Sequence, residues 1–237
     1  MKNLLRAETY RLFHDRVFWA ILVGIIAFYM MLLSGSPIFS LPGQKALSEI
    51  MQKEIVAVLI SCLYGGPFLG GGFADRTLYH GLLTGKSRGT VLCTQFIVFS
   101  IAAEVLLYCF PLLLVVTCTV RNGWGAAVSA GLAGHLVGAA AAFLILGVAI
   151  GAVSLLASVC FRDVGRTIGI PIVLYFGMIL LLNSPDASTF MRIFPVGILI
   201  LVTEGTVSPA YGALLGGIWS GLLFAVSALV FRRAELR

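Results

Sequence analysis

Three histidines, five cysteines and ten acidic residues are the whole stock of ligating and acid–base side chains in these 237 residues. Their spacing excludes most chemistry. His14, His80 and His135 are scattered, and no H-E-x-x-H pair sets a carboxylate and two imidazoles on one helix face, so a metal-dependent intramembrane enzyme is not expected. Cys62, Cys93, Cys109, Cys118 and Cys160 contain no C-x-x-C pair and read as small buried hydrophobes. Gly85-Lys86-Ser87 has the last three letters of a nucleotide-binding P-loop. That motif needs G-x-x-x-x-G-K-[ST] after a strand, because its glycines let backbone N–H groups wrap phosphate. Here His80 stands where the first glycine is required, Gly81 comes one residue late, and no strand pattern precedes it. No catalytic set and no metal site is expected on this chain.

Two polar residues, Glu104 and His135, stand inside long apolar runs. A charge in hydrocarbon costs at least about 2.5 kcal/mol, so Glu104 must face protein, water or substrate, or be protonated. Two roles are open for this pair: polar contacts along a translocation path, or structural hydrogen bonds between helices.

The runs themselves decide the fold class. Hydrophobic residues make up 59% of the chain and charged ones 11%, more apolar surface than a soluble domain of this length could hide. In a bilayer every backbone polar group must be satisfied within the protein, which leaves helices or a closed barrel. Apolar stretches of about 17 to 30 residues select helices, because barrel strands need only about ten, in alternation. The expected fold is an all-α integral membrane protein, one transmembrane domain over 1–237, with about six spans near 17–33, 55–73, 91–119, 128–160, 167–183 and 210–231. The first run ends in Ser34-Gly35-Ser36-Pro37 rather than a small-x-small cleavage site, and is expected to remain as an anchor.

Charge placement sets the orientation. With the amino terminus inside, twelve of the sixteen Lys and Arg residues fall in cytoplasmic segments: Lys2, Arg6, Arg11, Arg16, Arg76, Lys86, Arg88, Arg162, Arg166, Arg232, Arg233 and Arg237. Only Lys45, Lys53, Arg121 and Arg192 fall outside, the asymmetry of the positive-inside rule, with both termini cytoplasmic. In this setting a net charge of +6 points to membrane topology and not to nucleic acid. Residues 1–16 alternate Leu4, Leu5, Tyr10, Leu12 and Phe13 with Arg6, Glu8, Arg11 and Asp15, the pattern of an amphipathic helix lying on the inner surface. Gln44 to Glu54 carries Lys45/Glu49 and Glu49/Lys53 pairs that favour a short solvated helix. Ser184 to Pro209 is mixed, with Phe190 to Val202 apolar but broken by Pro195 and Gly197, which suits a re-entrant or interfacial segment. Small-x-x-x-small pairs at Gly134/Gly138, Gly147/Gly151, Gly212/Gly216 and Gly217/Gly221 allow close helix approach, within the chain or between two chains.

Between the second and third spans, Asp75 and Thr77 suit a helix start and Gly85 its end, so a short helix is expected there. Leu78, Leu82 and Leu83 then form an exposed apolar ridge, which suits either docking to a soluble partner or a helix lying on the membrane surface with no partner. At these residues the sequence resembles the permeases of type-2 ATP-binding-cassette exporters, especially small six-span bacterial ones of the lantibiotic or multidrug kind. Asp75-Arg76-Thr77-Leu78 and Gly85-Lys86-Ser87-Arg88 look like the elements that follow the second span in that family, and Asn3 to Leu12 looks like its amphipathic start.

The resemblance implies a cytoplasmic coupling helix seated on an ATPase, with Asp75, Arg76, Thr77, Leu78, Leu82, Gly85, Ser87 and Arg88 in that contact. It implies that residues 1–16 form an elbow helix and that Arg162, Asp163 and Arg166 make a second, smaller cytoplasmic contact. The implied partners are cytoplasmic ATPase subunits, a second permease copy or paralogue, and membrane lipid. No cofactor is expected on this chain, since ATP and Mg would sit on the partner. The implied location is the bacterial cytoplasmic membrane and the implied cargo a peptide, lipid or drug-like molecule. The alternative reading is a stand-alone channel or proton-coupled transporter centred on Glu104.

Overall fold

The chain begins with two helices, α1 (Lys2–His14) and α2 (Arg16–Leu33), set at 54° to each other. Asp15 makes the bend. Its backbone is extended (φ −76°, ψ 110°) and its carboxylate accepts the Val17 N–H at 2.9 Å, so it stops one helix and caps the next. In the computed structural model residues 2–51, 62–75, 77–83, 85–125, 130–182 and 190–233 are described, and every regular element among them is helical.

A 3₁₀ turn (Pro37–Ser40) leads into α3 (Gly43–Met51). Residues 52–61 lie outside the described residues, so the run expected at 55–73 is seen from Cys62 onward. It is not a regular helix. Pro67 has no N–H to give to the carbonyl of Leu63, and the chain widens into a π-turn (Gly66–Gly70) before tightening again in α4 (Gly71–Ala74). Then follow the short α5 (Thr77–Leu83) and the long α6 (Arg88–Asn122) and α7 (Ala130–Phe161). The chain continues through α8 (Val164–Leu182), a short α9 (Pro195–Thr203) and α10 (Pro209–Arg233). Ser87 starts α6 by accepting the Thr90 N–H on its hydroxyl at 3.2 Å.

Four of these helices, α6, α7, α8 and α10, are long and apolar enough to cross a bilayer, or five when the bent α1–α2 pair counts as one span. The architecture is that of a multi-pass helical membrane protein. The described parts of the runs expected at 17–33, 91–119, 128–160, 167–183 and 210–231 fall in α2, α6, α7, α8 and α10.

Packing sorts the glycine pairs that the sequence left open. Gly212 and Gly216 of α10 lie against Ala142, Ile145 and Leu146 of α7, and Gly147 and Gly151 of α7 lie against Glu104 and Phe99 of α6. These two pairs are used within the chain. Gly217 and Gly221 have open space where a side chain would stand, and so does Gly134. With apolar lipid outside, helices associate through such close contact rather than through expulsion from water. At the centre, the rings of Tyr64, Phe68 and Phe99 stand 5.5 to 6.3 Å apart, with Phe18 edge-on to Tyr64 at 5.7 Å. Cys62 and Cys118 are buried as expected of small apolar residues, whereas Cys160 is exposed.

The short elements cover the ends. Helix α3 turns Ala46 and Ile50 inward and leaves Lys45 and Glu49 exposed, the one-sided burial of a solvated helix resting on α6. Helix α9 buries Val196, Ile198, Leu199 and Val202 against α7 and α10. Its nine residues are too few to cross, in line with the interrupted apolar pattern over its part of 184–209. Trp219 pins it by donating its indole N–H to the Ile193 carbonyl at 2.8 Å.

The π-turn crosses the first turn of α8 at close range. A Cβ at Gly70 would stand 3.0 Å from the Val164 Cα and the Thr167 hydroxyl and 3.1 Å from the Asp163 carbonyl. Gly70→Ala is therefore expected to lower the stability of the detergent-solubilised protein by about 1 to 3 kcal/mol. Thermal unfolding measures it, and an unchanged midpoint would mean that α8 moves aside at no cost.

Candidate functional site

The residues singled out between the second and third spans lie where α4, α5 and α6 meet the ends of α1, α8 and α10. Asp75 is exposed and ends α4, its N–H donating to the Gly71 carbonyl at 2.8 Å. Arg76 lies outside the described residues. Thr77 begins α5 and donates its hydroxyl to the Gly72 carbonyl at 3.3 Å, which ties the short helix back to the end of the broken run. Gly85 ends the segment in the left-handed region (φ +77°), as a helix-terminating glycine should, and Lys86 and Ser87 follow on the surface.

The apolar ridge is turned the other way from the one expected. Leu78 is only 3% exposed and Leu82 packs against the core, while Leu83 alone points outward at 82% exposure. The physical reason is the neighbourhood of α5: Leu4 of α1 and Val91 of α6 both close on Gly81, so the inner side of the helix is already enclosed. A partner approaching this end would meet Leu83, Lys86 and Ser87, not Leu78.

Arg88 has a structural task. Its Nη1 donates to the carbonyls of Phe231 at 3.2 Å and Arg232 at 2.9 Å, groups that the last turn of α10 leaves without helical partners. A cation at a helix carboxyl end is also favoured by the helix dipole. The first residue of α6 thereby fastens the last turn of α10, and Phe231 meets Phe73 edge-on at 5.8 Å beneath it.

The second expected contact lies at the same end. Arg162 takes a left-handed conformation (φ 52°), unusual for a residue with a side chain, and lets α7 turn directly into α8. Asp163 caps α8 by accepting the Arg166 N–H at 2.9 Å, and its carbonyl takes the Thr167 hydroxyl at 2.6 Å. Arg166 is exposed. The two loops are joined through backbone, since Asp163 and Val164 lie against Gly70 and the segment from Thr77 to Arg88 follows a few residues later. Lys86, Arg166, Arg232 and Arg233 leave this end of the bundle basic and exposed.

Behind the surface lies a polar junction absent from the residues first singled out. The carbonyl of Phe68, in the π-turn, accepts from Arg11 Nη2 of α1 and from Gln95 Nε2 of α6, each at 3.5 Å. The Arg11 guanidinium also stands 5.1 Å over the Phe68 ring and 3.5 Å from Glu8. Gln95 is fully buried. An amide within the run 91–119 is a signal of the same kind as Glu104, and it was legible in the sequence. The Glu8 side chain is 18% exposed, and burial pushes its carboxyl above the usual 4.5, against the opposing pull of Arg11.

Glu104 and His135 are not part of this end. Glu104 is half-buried with its carboxyl group set against Gly147 of α7, where the absence of a side chain makes room for it. His135 lies near the start of α7. Among the described residues no group of three His, Cys, Asp or Glu could hold a metal ion. Compared with known proteins, the chain matches no family model and no curated sequence.

Two measurements probe this site. Arg88→Met frees the two carbonyls at the end of α10, and amide exchange over residues 228–233 is expected to quicken roughly tenfold. Unchanged exchange would show that the guanidinium does not hold the helix end. For Glu8, a pKa raised in the folded state means that stability is full below the free-carboxyl value and falls as pH rises through the folded value. A melting temperature that drops from pH 4.5 upward, with a shallower drop in Glu8→Gln, is the expected result.

Proposed function

We propose that the chain is the permease subunit of a type-2 ATP-binding-cassette exporter, which moves a peptide, lipid or drug-like substrate outward on the power of a separate ATPase. In this reading the chain crosses the bacterial cytoplasmic membrane about six times with both termini inside. Residues 1–16 act as the elbow and α5 acts as the coupling helix. A second copy or a paralogue completes the membrane unit. The chain itself does no chemistry, since ATP and Mg are held by the partner.

The observation that supports it is the mounting of α5. The helix is enclosed on one side by α1 and α6, is tied to α4 through Thr77, and presents Leu83, Lys86 and Ser87 outward at a basic end. Force on such a knob has several short routes inward. One runs through Leu78 and Gly72 to Gln95 of α6, another through Arg88 to α10, and a third through the π-turn to α8. Asp163 and Arg166 flank the third route and serve as the smaller contact. A lever needs this combination: one exposed end and rigid attachments behind it.

Leu83 is the residue to change, because replacing the buried Leu78 or Leu82 would test folding instead of docking. Leu83→Asp is expected to leave the amount of protein in the membrane unchanged while weakening co-purification of the ATPase about thirtyfold, the loss typical of an interface hot spot. Normal association and normal export in that variant would sink the coupling assignment. The proton-coupled alternative draws on the setting of Glu104 between α6 and α7. Transport that persists without any ATPase and is lost in Glu104→Gln would replace the exporter reading.

A further inference from the structure

At the opposite end of the bundle from Lys86 and Arg232, α3, α6 and α7 enclose an apolar groove of about 390 Å³. Its walls include Leu47 of α3, Pro111 and Val115 of α6, and Ala140 and Phe143 of α7, with Trp124 at the end where α6 gives way to the following loop. The α6 part of the wall runs from Tyr108 to Val115, about 10 Å of helix. We propose that this groove binds one acyl chain of a membrane phospholipid, with the lipid's ester carbonyl accepting the indole N–H of Trp124.

The chemistry of the lining selects hydrocarbon over water. A water molecule in a cavity needs two to four polar partners, and apolar cavities much larger than a water stay dry or take apolar guests. Every side chain of the wall is apolar except the Tyr108 hydroxyl and the Trp124 indole. The groove also opens toward lipid: Leu112 and Leu144 belong to its lining and are exposed on the outer faces of helices long enough to cross a bilayer.

The indole selects the class of guest. Trp124 Nε1 is buried and has no hydrogen-bond acceptor among the described residues, whereas the indoles of Trp19 and Trp219 donate to the carbonyls of Phe13 and Ile193. A buried donor left in this state costs free energy that an acceptor from a ligand would recover. The backbone that carries it is held in place. Its carbonyl takes the Gln44 N–H at 3.1 Å, the neighbouring Gly123 carbonyl takes the Gly43 N–H at 3.0 Å, and Asn122 is spent on the carbonyls of Phe39 and Leu41. One fixed donor at the end of a hydrocarbon slot matches a molecule with one acceptor where its hydrocarbon begins. A glycerophospholipid has that form, and its ester groups lie at the interfacial depth where tryptophan concentrates.

The site does not depend on the transport reading, and its test does not use transport. In the full-length Trp19→Phe/Trp219→Phe protein in detergent, Trp124 is the only tryptophan, and a phosphatidylcholine brominated on its acyl chains quenches its fluorescence on contact. The expected result is quenching that saturates near one lipid per protein and is lost in Ala140→Phe, which fills the slot from an exposed position. Native mass spectrometry of the chain with its other tryptophans intact gives a second readout. Trp124→Phe keeps the shape, removes the donor, and is expected to lower the retention of phosphatidylcholine about tenfold. Quenching that rises without saturation and is equal in Ala140→Phe would overturn the proposal. So would a mass showing two protein copies and no lipid, since a second chain would then fill the groove.

Discussion

The structure depends on one close contact, between the glycines of the π-turn and the first turn of α8. The turn carries no side chain of its own at Gly66 or Gly70, so the backbone of the broken second run rests directly on Val164, Thr167 and Ile168. That contact fixes where Asp163 caps α8, and hence where the turn at Arg162 must fall. It also fixes the exit of the chain toward α4 and α5. Two loops far apart in sequence are thereby held at one end of the bundle by backbone apposition.

The same irregular turn solves a second problem. A helix that departs from its regular ladder in an apolar surrounding must have its backbone groups satisfied by neighbours. Here the Phe68 carbonyl is met by Arg11 and Gln95, which brings α1 and α6 to the turn. Polar groups that would be costly in isolation share a single acceptor, and the Glu8 carboxyl beside Arg11 reduces the cost of burying the guanidinium. A π-turn within an otherwise α-helical run is often found where function requires a departure from regular packing. In this protein it is the point at which motion of α5, α1 or α8 would be felt by the others.

The two ends of the bundle then differ in kind. One end is basic, built from capping carboxylates and arginines that hold helix termini. The other is closed by neutral hydrogen bonds that tie α3 and the turn before it to the end of α6, with the apolar groove beside them. The first suits a charged aqueous partner. The second suits lipid.

Hydropathy alone determined the class of the protein and the positions of α2, α6, α7, α8 and α10, because solvent preference summed over some twenty residues outweighs any local detail. The short α5 was also legible from Thr77 and Gly85, since capping is a local matter of backbone donors and acceptors. Tertiary structure decided the rest. Leu78 and Leu83 have the same hydrophobic character on the page, and only the closure of α1 and α6 over Gly81 buries one and exposes the other. Arg88 reads as a surface cation until α10 brings its last carbonyls within reach. Gly212/Gly216 and Gly217/Gly221 obey the same spacing rule, yet one pair meets α7 and the other meets open space, because a five-residue offset on a helix turns a face by about 140°. Periodicity specifies that a face exists, and which neighbour it meets is a property of the assembled bundle.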